Sequence, residues 1–328
     1  MPCSMSDLEV DFDKFDIEGP GLYGYEPLQR AIAAHCNVPV ECVVAASGTS
    51  MANFLAMASL IQPGDEVWIE RPAYDPLLAI ARYLGAIIKR FDHSPGGSGL
   101  LPEMFTPAVK LVVLTNLHNP TSSLLSTVEL QQIVSLAKNS ETRILVDEVY
   151  LECMYEQTAS AFHLGHEIVC TGSLTKAYGL GGLRCGWILA EPELANRIWA
   201  LKDLMDPGSP HPTEQLSVVA FQHLDRLASR AKTILAHNRE MLRSFLRDCP
   251  DLEVTVPEYG TCAFPRILSG NPDRLFELLH DRFDTDVVPG KFFESPQHFR
   301  IGIGMDRKVF EEGLTRLGKA LQETRSPG

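Results

Sequence analysis

Lys176 lies three residues after Ser173 and eight before Arg184, with Gly179, Gly181 and Gly182 between them. A lysine amine whose charged form is disfavoured by burial or by neighbouring cations becomes a nucleophile that can condense with an aldehyde. The arginine fork can hold a phosphate bidentately, and the glycines suit a turn that passes close to a ligand. Taken alone, the segment reads equally well as a surface lysine on a glycine-rich loop. Asp147 ends the apolar run Ile144-Leu145-Val146. A carboxylate there needs a partner, because burying it unpaired is costly. A cationic ring nitrogen would serve, and so would a helix cap or an ion pair. Ala46-Ser47-Gly48-Thr49-Ser50 follows another apolar run and opens a helical pattern. Free N–H groups and a partial positive charge at a helix N-terminus can hold a phosphate, although an ordinary N-cap has the same appearance. Asn119-Pro120-Thr121 is by itself a turn.

The elements that must position these residues are short apolar runs at 43–46, 66–70, 86–91, 110–115, 143–147, 167–171 and 186–190. Several are continuous and β-branched, as strands buried on both faces are. Between them lie helical patterns at 50–61, with Met51, Phe54, Leu55, Ala58 and Ile61 on one face, and at 127–138, with Val128, Ile133, Val134 and Ala137 on one face. This alternation predicts an α/β fold, a mainly parallel sheet with helices on both faces. Residues 191–204 and 213–248 are helical on either side of a Pro/Gly break at 205–212, and 229–248 reads as one long helix leading out of the sheet. Helices at 272–282 and 306–322, with short strands around them, predict a smaller α+β unit. The domain division is 21–228 for the large unit and 1–20 with 229–328 for the small one.

Composition narrows the function. The 328 residues carry a formal net charge of −13 with 45% hydrophobic and 22% charged residues. An acidic field repels polyanions, so neither nucleic acid nor an acidic membrane surface is an expected partner. None of the eight cysteines forms a C-x-x-C pair, which predicts buried reduced thiols, no metal site and a reducing cytoplasmic setting. No run of 18 apolar residues occurs, and the acidic N-terminus does not read as a secretory signal.

Taken in chain order, the motifs resemble the class I/II aminotransferases of the fold-type I pyridoxal-phosphate (PLP) superfamily, from about residue 20 to 322. The resemblance rests on the helix-opening Ser-Gly-Thr-Ser, Tyr74 after a strand, Asn119-Pro120, Asp147-Glu-Val-Tyr150, Ser173-x-x-Lys176 with Arg184, and a late Arg300. It implies a seven-stranded sheet and a PLP-dependent enzyme. Lys176 would be the Schiff-base lysine and then the base at the substrate Cα. Asp147 would partner the ring nitrogen, and Tyr150 and Asn119 the phenolic oxygen. Gly48, Thr49, Ser50, Ser173 and Arg184 would form the phosphate cup, and Tyr74 would stack on the ring. Arg300, with Asn119, would clamp the substrate carboxylate.

The implied activity moves an amino group between an amino acid and a 2-oxo acid in a homodimer. The alternative is a PLP lyase, cyclase or synthase, which shares every one of these residues; a catalytically silent sensor is the more distant reading. Two departures from the family pattern bear on the site. Ser122 follows Asn-Pro-Thr where the family has glycine, and a positive φ is costly for serine, so the loop is expected to differ. The N-terminal arm is short. Specificity is expected in 205–212 and near Tyr259 to Arg266.

Overall fold

The computed structural model describes residues 8, 10–19, 24–93, 99–155 and 158–325. In chain order the elements are α1 (Glu26–Cys36), β1 (Val43–Ser47), α2 (Thr49–Leu60), β2 (Glu66–Arg71), α3 (Asp75–Tyr83), β3 (Ile87–Asp92), β4 (Val109–Thr115), α4 (Thr127–Lys138), β5 (Arg143–Asp147), β6 (Ile168–Ser173), β7 (Cys185–Leu189), α5 (Pro192–Asp203), α6 (His211–Phe221) and α7 (Leu224–Arg247). There follow β8 (Leu252–Glu253), β9 (Cys262–Ala263), β10 (Arg266–Ile267), α8 (Pro272–Phe283), β11 (Val288–Pro289), β12 (Phe299–Gly302) and α9 (Arg307–Arg325).

Seven strands form one sheet in the order β1-β7-β6-β5-β4-β2-β3. Pairing is parallel from β3 through β6, while β7 is antiparallel to both β6 and β1. Two reversals cancel, so β1 runs in the same direction as β6. The carboxyl ends of six strands and the amino end of β7 therefore meet at a single edge. All seven expected runs are strands of this sheet, each displaced by no more than two residues at either end.

Alternate residues of each strand enter different cores, as the two-residue strand period requires. Val43, Val112, Ile144, Ile168 and Trp187 face one core, with α1, α4 and α6 over it. Val44, Val113, Leu145, Val169 and Ile188 face the other, under α2, α3 and α5. A third core lies among α7, α8, α9 and the short strands. Helix α7 crosses between cores: Leu224 and Leu227 pack with the sheet, Leu235 and Leu242 with the third core. We propose that the smaller unit begins within this helix, as the division at 228/229 expects. Leu8, by contrast, is buried in the sheet core.

Several local readings are corrected. The stretch 213–248 is two helices, α6 starting inside the expected break and α7 starting at Leu224, with the chain turning at Gln222-His223. In α4, Ser126 caps the helix and exchanges hydrogen bonds with Glu129, but Val128 is 63% exposed and Leu130 takes its place in the buried stripe. In α2 the buried set is Ala52, Asn53, Leu55, Ala56 and Met57, because sheet and helices enclose it on more than one side; Met51, Phe54 and Ala58 are only partly buried.

Two substitutions test this assignment of faces. Leu55→Ala removes a fully buried side chain and is expected to cost about 2–5 kcal/mol in denaturant unfolding. Val128→Ala should stay within about 0.5 kcal/mol of the parent.

Candidate active site

Most of the expected site residues stand where a strand of the seven-stranded sheet meets the common edge; Arg300 comes from β12 of the three-stranded sheet. Gly48 follows β1 with φ +85° and is the N-cap of α2. A Cβ there would lie 2.4 Å from Arg184 Nη2, so only glycine allows the guanidinium to lie against this turn. Arg184, just before β7, takes a left-handed conformation (φ 51°) and donates from Nη2 to the Ser47 carbonyl at 3.3 Å. Gly186 makes the same seam possible from the other side, since its Cβ would lie 2.6 Å from the Gly48 carbonyl carbon. Ser173 ends β6, and its hydroxyl lies 2.7 Å from that of Thr175. The expected cup thus joins two segments, 47–50 and 173–184, more than 120 residues apart.

Asp147 ends β5 and is 3% exposed. Its carboxylate accepts from Asn53 Nδ2 at 2.8 Å and from the Val149 backbone N–H at 3.0 Å. The Thr171 hydroxyl, on β6, donates to Asn53 Oδ1 at 2.6 Å and so holds the amide in this orientation. Burial pushes the Asp147 carboxyl up to about 6 from 3.8, the Asn53 and Val149 hydrogen bonds and the Lys176 charge pull it down, and Glu70 raises it. Lys176, on the turn after β6, is exposed. Burial of its surroundings, then the charges of Arg300 and Arg184, hold its ammonium below the usual lysine range, while Asp147 opposes them.

Asn119 is buried, and its Oδ1 accepts from Arg300 Nη1 at 2.9 Å. Arg300 sits on β12, over the Phe293 ring at 5.2 Å, so the third core delivers it to the sheet edge. Tyr150 is buried three residues beyond Asp147. Burial raises its hydroxyl far above the tyrosine value, with Arg300 pulling the other way, so it remains a proton donor. Ser50, exposed on the first turn of α2, and Tyr74, at the N-cap of α3 and 36% exposed, share the edge by position.

The Asn-Pro-Thr-Ser loop keeps a positive φ despite the serine: Ser122 has φ 59°. Its hydroxyl donates to the Cys262 carbonyl at 2.9 Å, which offsets part of the strain. Gly260 makes room for it, since a Cβ there would lie 2.5 Å from Ser122 Oγ. The segment 259–266 therefore does reach the site, and Cys262 on β9 is close enough for Lys176 and Arg300 to act on its thiol. The segment 205–212 reaches the cup through Asp206, whose carboxylate accepts from the Ser47 hydroxyl at 2.8 Å. Asn53, Thr171 and Cys262 were not legible as site residues, because on one chain they read as ordinary core positions.

The profile of the family described as "Aminotransferase class I and II" matches residues 18–317. The chain belongs to that family. Its cofactor is accordingly pyridoxal 5'-phosphate. The chain is 30% identical over 336 aligned positions to capreomycidine synthase of Streptomyces vinaceus, covering 98% of this chain and 84% of that protein. Among solved structures it resembles the PLP-dependent cyclase OrfR, with a TM-score of 0.89 and 26% identity over 98% of this chain and 89% of that one. It also shares the fold of a PLP-dependent aminotransferase from Streptococcus suis, with a TM-score of 0.88 and 23% identity, covering 97% and 87% of the two chains.

The residues present fit this cofactor. Thr49 Oγ1 is buried at the α2 N-terminus with no partner, beside a guanidinium and free N–H groups, as a phosphate site requires. Asp147 is buried with no ion pair among the described residues, as a carboxylate awaiting a ring N–H⁺ would be.

Asp147 has a stability signature. Its folded pKa is raised, so the folded chain binds more protons than the unfolded chain between 3.8 and about 6. Its contribution to stability is present below 3.8, is lost as pH rises to about 6, and does not change above that. Asp147→Asn should therefore stabilise the cofactor-free chain by about 1–3 kcal/mol at neutral pH and progressively less as pH falls, the gain vanishing below 3.8. Turnover of the loaded variant should fall by roughly 100-fold or more. Thermal unfolding at two pH values, beside an activity assay, checks both.

Proposed function

We propose that this chain transfers the amino group of an amino acid to a 2-oxo acid, working as a homodimer. The observation that carries the reading is the convergence of Lys176, Asp147 and the Arg300–Asn119 pair on one sheet edge, the first two within electrostatic reach of each other and Arg300 within reach of Lys176. When bound, the cofactor supplies an aldehyde for covalent capture of the amine and a ring that accepts the electron pair left at Cα.

The chain supplies the rest. Arg300, held flat by Asn119 and Phe293, presents its fork to the α-carboxylate. That anchor, with the phosphate cup at the other end, fixes which Cα bond stands over the ring and so selects loss of the proton. Lys176 Nζ, with its ammonium disfavoured by Arg300 and Arg184, takes the Cα proton and returns it one step later. Tyr150 stays protonated and donates to the phenolic oxygen together with Asn119. Asp147 keeps the ring nitrogen protonated, which lowers its own burial penalty at the same time.

A second reading has a specific observation in its favour. The 30% identical relative is named a synthase and the 26% identical structure a cyclase. Ring closure or elimination begins with the same proton abstraction by Lys176 and needs no 2-oxo acid. Product analysis separates the two. Amino-group transfer yields the 2-oxo acid of the donor and an amino acid from the acceptor, and stops when no acceptor is added. A cyclised or dehydrated product that forms without acceptor establishes the second reading instead.

Both readings require Lys176→Ala to lose turnover by at least about 1,000-fold. Arg300→Lys, which keeps the charge and loses the fork, should raise KM for the amino acid about 10–100-fold with a smaller change in kcat. Steady-state kinetics on these two variants and the parent test the assignment.

A further inference from the structure

A nearly closed ring of polar side chains, its last gap the 3.8 Å between His118 Nε2 and Glu70 Oε1, lies beside the Asn119 loop, and the reaction as derived does not use it. Glu70, at the end of β2, is fully buried, as are the side chains of His93, after β3, and His118, after β4. His93 Nε2 lies 2.7 Å from Ser123 Oγ. Ser123 Oγ lies 2.8 Å from Thr121 Oγ1, and Thr121 Oγ1 lies 2.7 Å from His118 Nδ1. His118 Nε2 meets the Pro72 carbonyl at 2.9 Å. His93 Nδ1 faces Glu70 Oε2 at 3.3 Å, outside good hydrogen-bond geometry, and neither atom has another partner. The other oxygen, Glu70 Oε1, accepts from the Thr115 N–H at 2.6 Å.

The three ionisable side chains look at first like a metal site, since ligand atoms of all three fall within 4.8 Å of one another. The ring geometry opposes that. The imidazoles stack face to face at 3.9 Å with 7° between their planes. Lone pairs lie in the ring planes, so two parallel stacked rings cannot both aim at one ion. His118 also has both nitrogens engaged.

Proton counting gives a different answer. The ring has five contacts: Glu70–His93, His93–Ser123, Ser123–Thr121, Thr121–His118 and His118–Pro72 carbonyl. Four of these are hydrogen bonds with one proton each; in the fifth, Glu70–His93, two buried unpartnered atoms face each other at 3.3 Å, and only a proton there keeps lone pair from meeting lone pair. The two hydroxyls supply two, and two neutral imidazoles supply one each. Four protons serve five contacts. The His118–Pro72 contact must take its proton from His118, because a carbonyl only accepts. With Glu70 ionised and both rings neutral, either a lone pair faces the Glu70 carboxylate or one hydroxyl contact has no proton.

We propose that the ring holds one proton beyond the neutral-imidazole count, as a buried ion pair between an imidazolium at His93 and the Glu70 carboxylate, and that Glu70, His93 and His118 are positioning residues for the Asn119 loop. The second half rests on the roles given above to Asn119 and Arg300; the first half does not. Burial holds His118 down at about 4 although Glu70 pulls it up, with His93 adding to the lowering, so His118 is the neutral member. The charged groups on neighbouring elements are Arg90 on β3 and Asp147 on β5, and Glu70 acts electrostatically on both. The ring ties the loop to the ends of β2 and β3 through the side chains of Glu70, His93 and His118, the last reaching the Pro72 carbonyl. His118 and Ser123 also exchange a backbone bond, with the His118 N–H donating to the Ser123 carbonyl at 2.8 Å, so loop and ring move together.

The experiment is NMR of the ring nitrogens in ¹⁵N-histidine-labelled holoenzyme near neutral pH, with His93 assigned from the signal lost in His93→Gln. The proposal expects His93 doubly protonated and His118 with its proton on Nε2 only. A singly protonated His93 in the wild-type chain overturns it, whatever the variants do. Histidine shifts on adding zinc that reverse with chelator also overturn it, in favour of a metal site. Glu70→Gln should return His93 to one ring proton and raise KM for the amino acid roughly tenfold, with the cofactor retained and kcat changed less. Glu70→Gln with unchanged KM, in an enzyme that Lys176→Ala inactivates, sinks the positioning role alone and leaves the proposed function standing.

Discussion

The arrangement depends on a carboxylate held out of water without a cation. Asp147 stands at the end of the central strand of the sheet, and its two hydrogen bonds come from a neutral amide and a backbone N–H. An isolated buried charge is among the least favourable things a fold can contain, and proteins keep one when something else completes it. On the proposed reading the completing group is the ring nitrogen of the cofactor. The surrounding elements can be read from that need. Helix α2 offers Asn53 on its sheet-facing side, β6 offers Thr171 to fix the amide, and the turn after β6 brings Lys176 near.

The chemistry-bearing motifs were legible because they follow strands, and strands buried on both faces are easy to read. Val109–Thr115 is a nearly continuous apolar run and Ile168–Ser173 opens on one, so Asn119 and Lys176 are legible from the sequence as residues just beyond strand ends. Helices were read with less precision. The apolar stripe of α2 mistook which side is enclosed, because Asn53, a polar residue, reads as a solvent position while it is 2% exposed. Val128 was placed in the α4 stripe from spacing alone, yet it sits in the first turn, outside the packed face. Asn53 and Cys262 share a reason for being missed. Their roles come from residues almost a hundred or more positions away, and no local period encodes that.

The Asn119 loop shows how a departure from the family pattern can be compatible with the site. Serine replaces the usual glycine at 122 and keeps the left-handed backbone. A hydroxyl bond to the Cys262 carbonyl supports it, and Gly260 leaves the space it occupies. Chain geometry around Arg300 is thereby retained, since β9 carries Cys262 and pairs directly with β12. The cost has moved from position 122 to position 260, where a side chain is no longer admissible.

The seam between β1 and β7 has a consequence for how the chain assembles. Val43–Ser47 can pair only with Cys185–Leu189, so the first strand made must wait for the last before it gains a neighbour in the sheet. Closing so long a loop carries a large entropic cost and belongs late in folding. The two lips of the phosphate cup, Gly48 and Arg184, lie on either side of that closure. During synthesis Lys176 and Arg184 emerge only eight residues apart, long after Gly48, so on the proposed reading the vitamin can be gripped at both ends only once the chain has passed its midpoint and the earliest strand has docked.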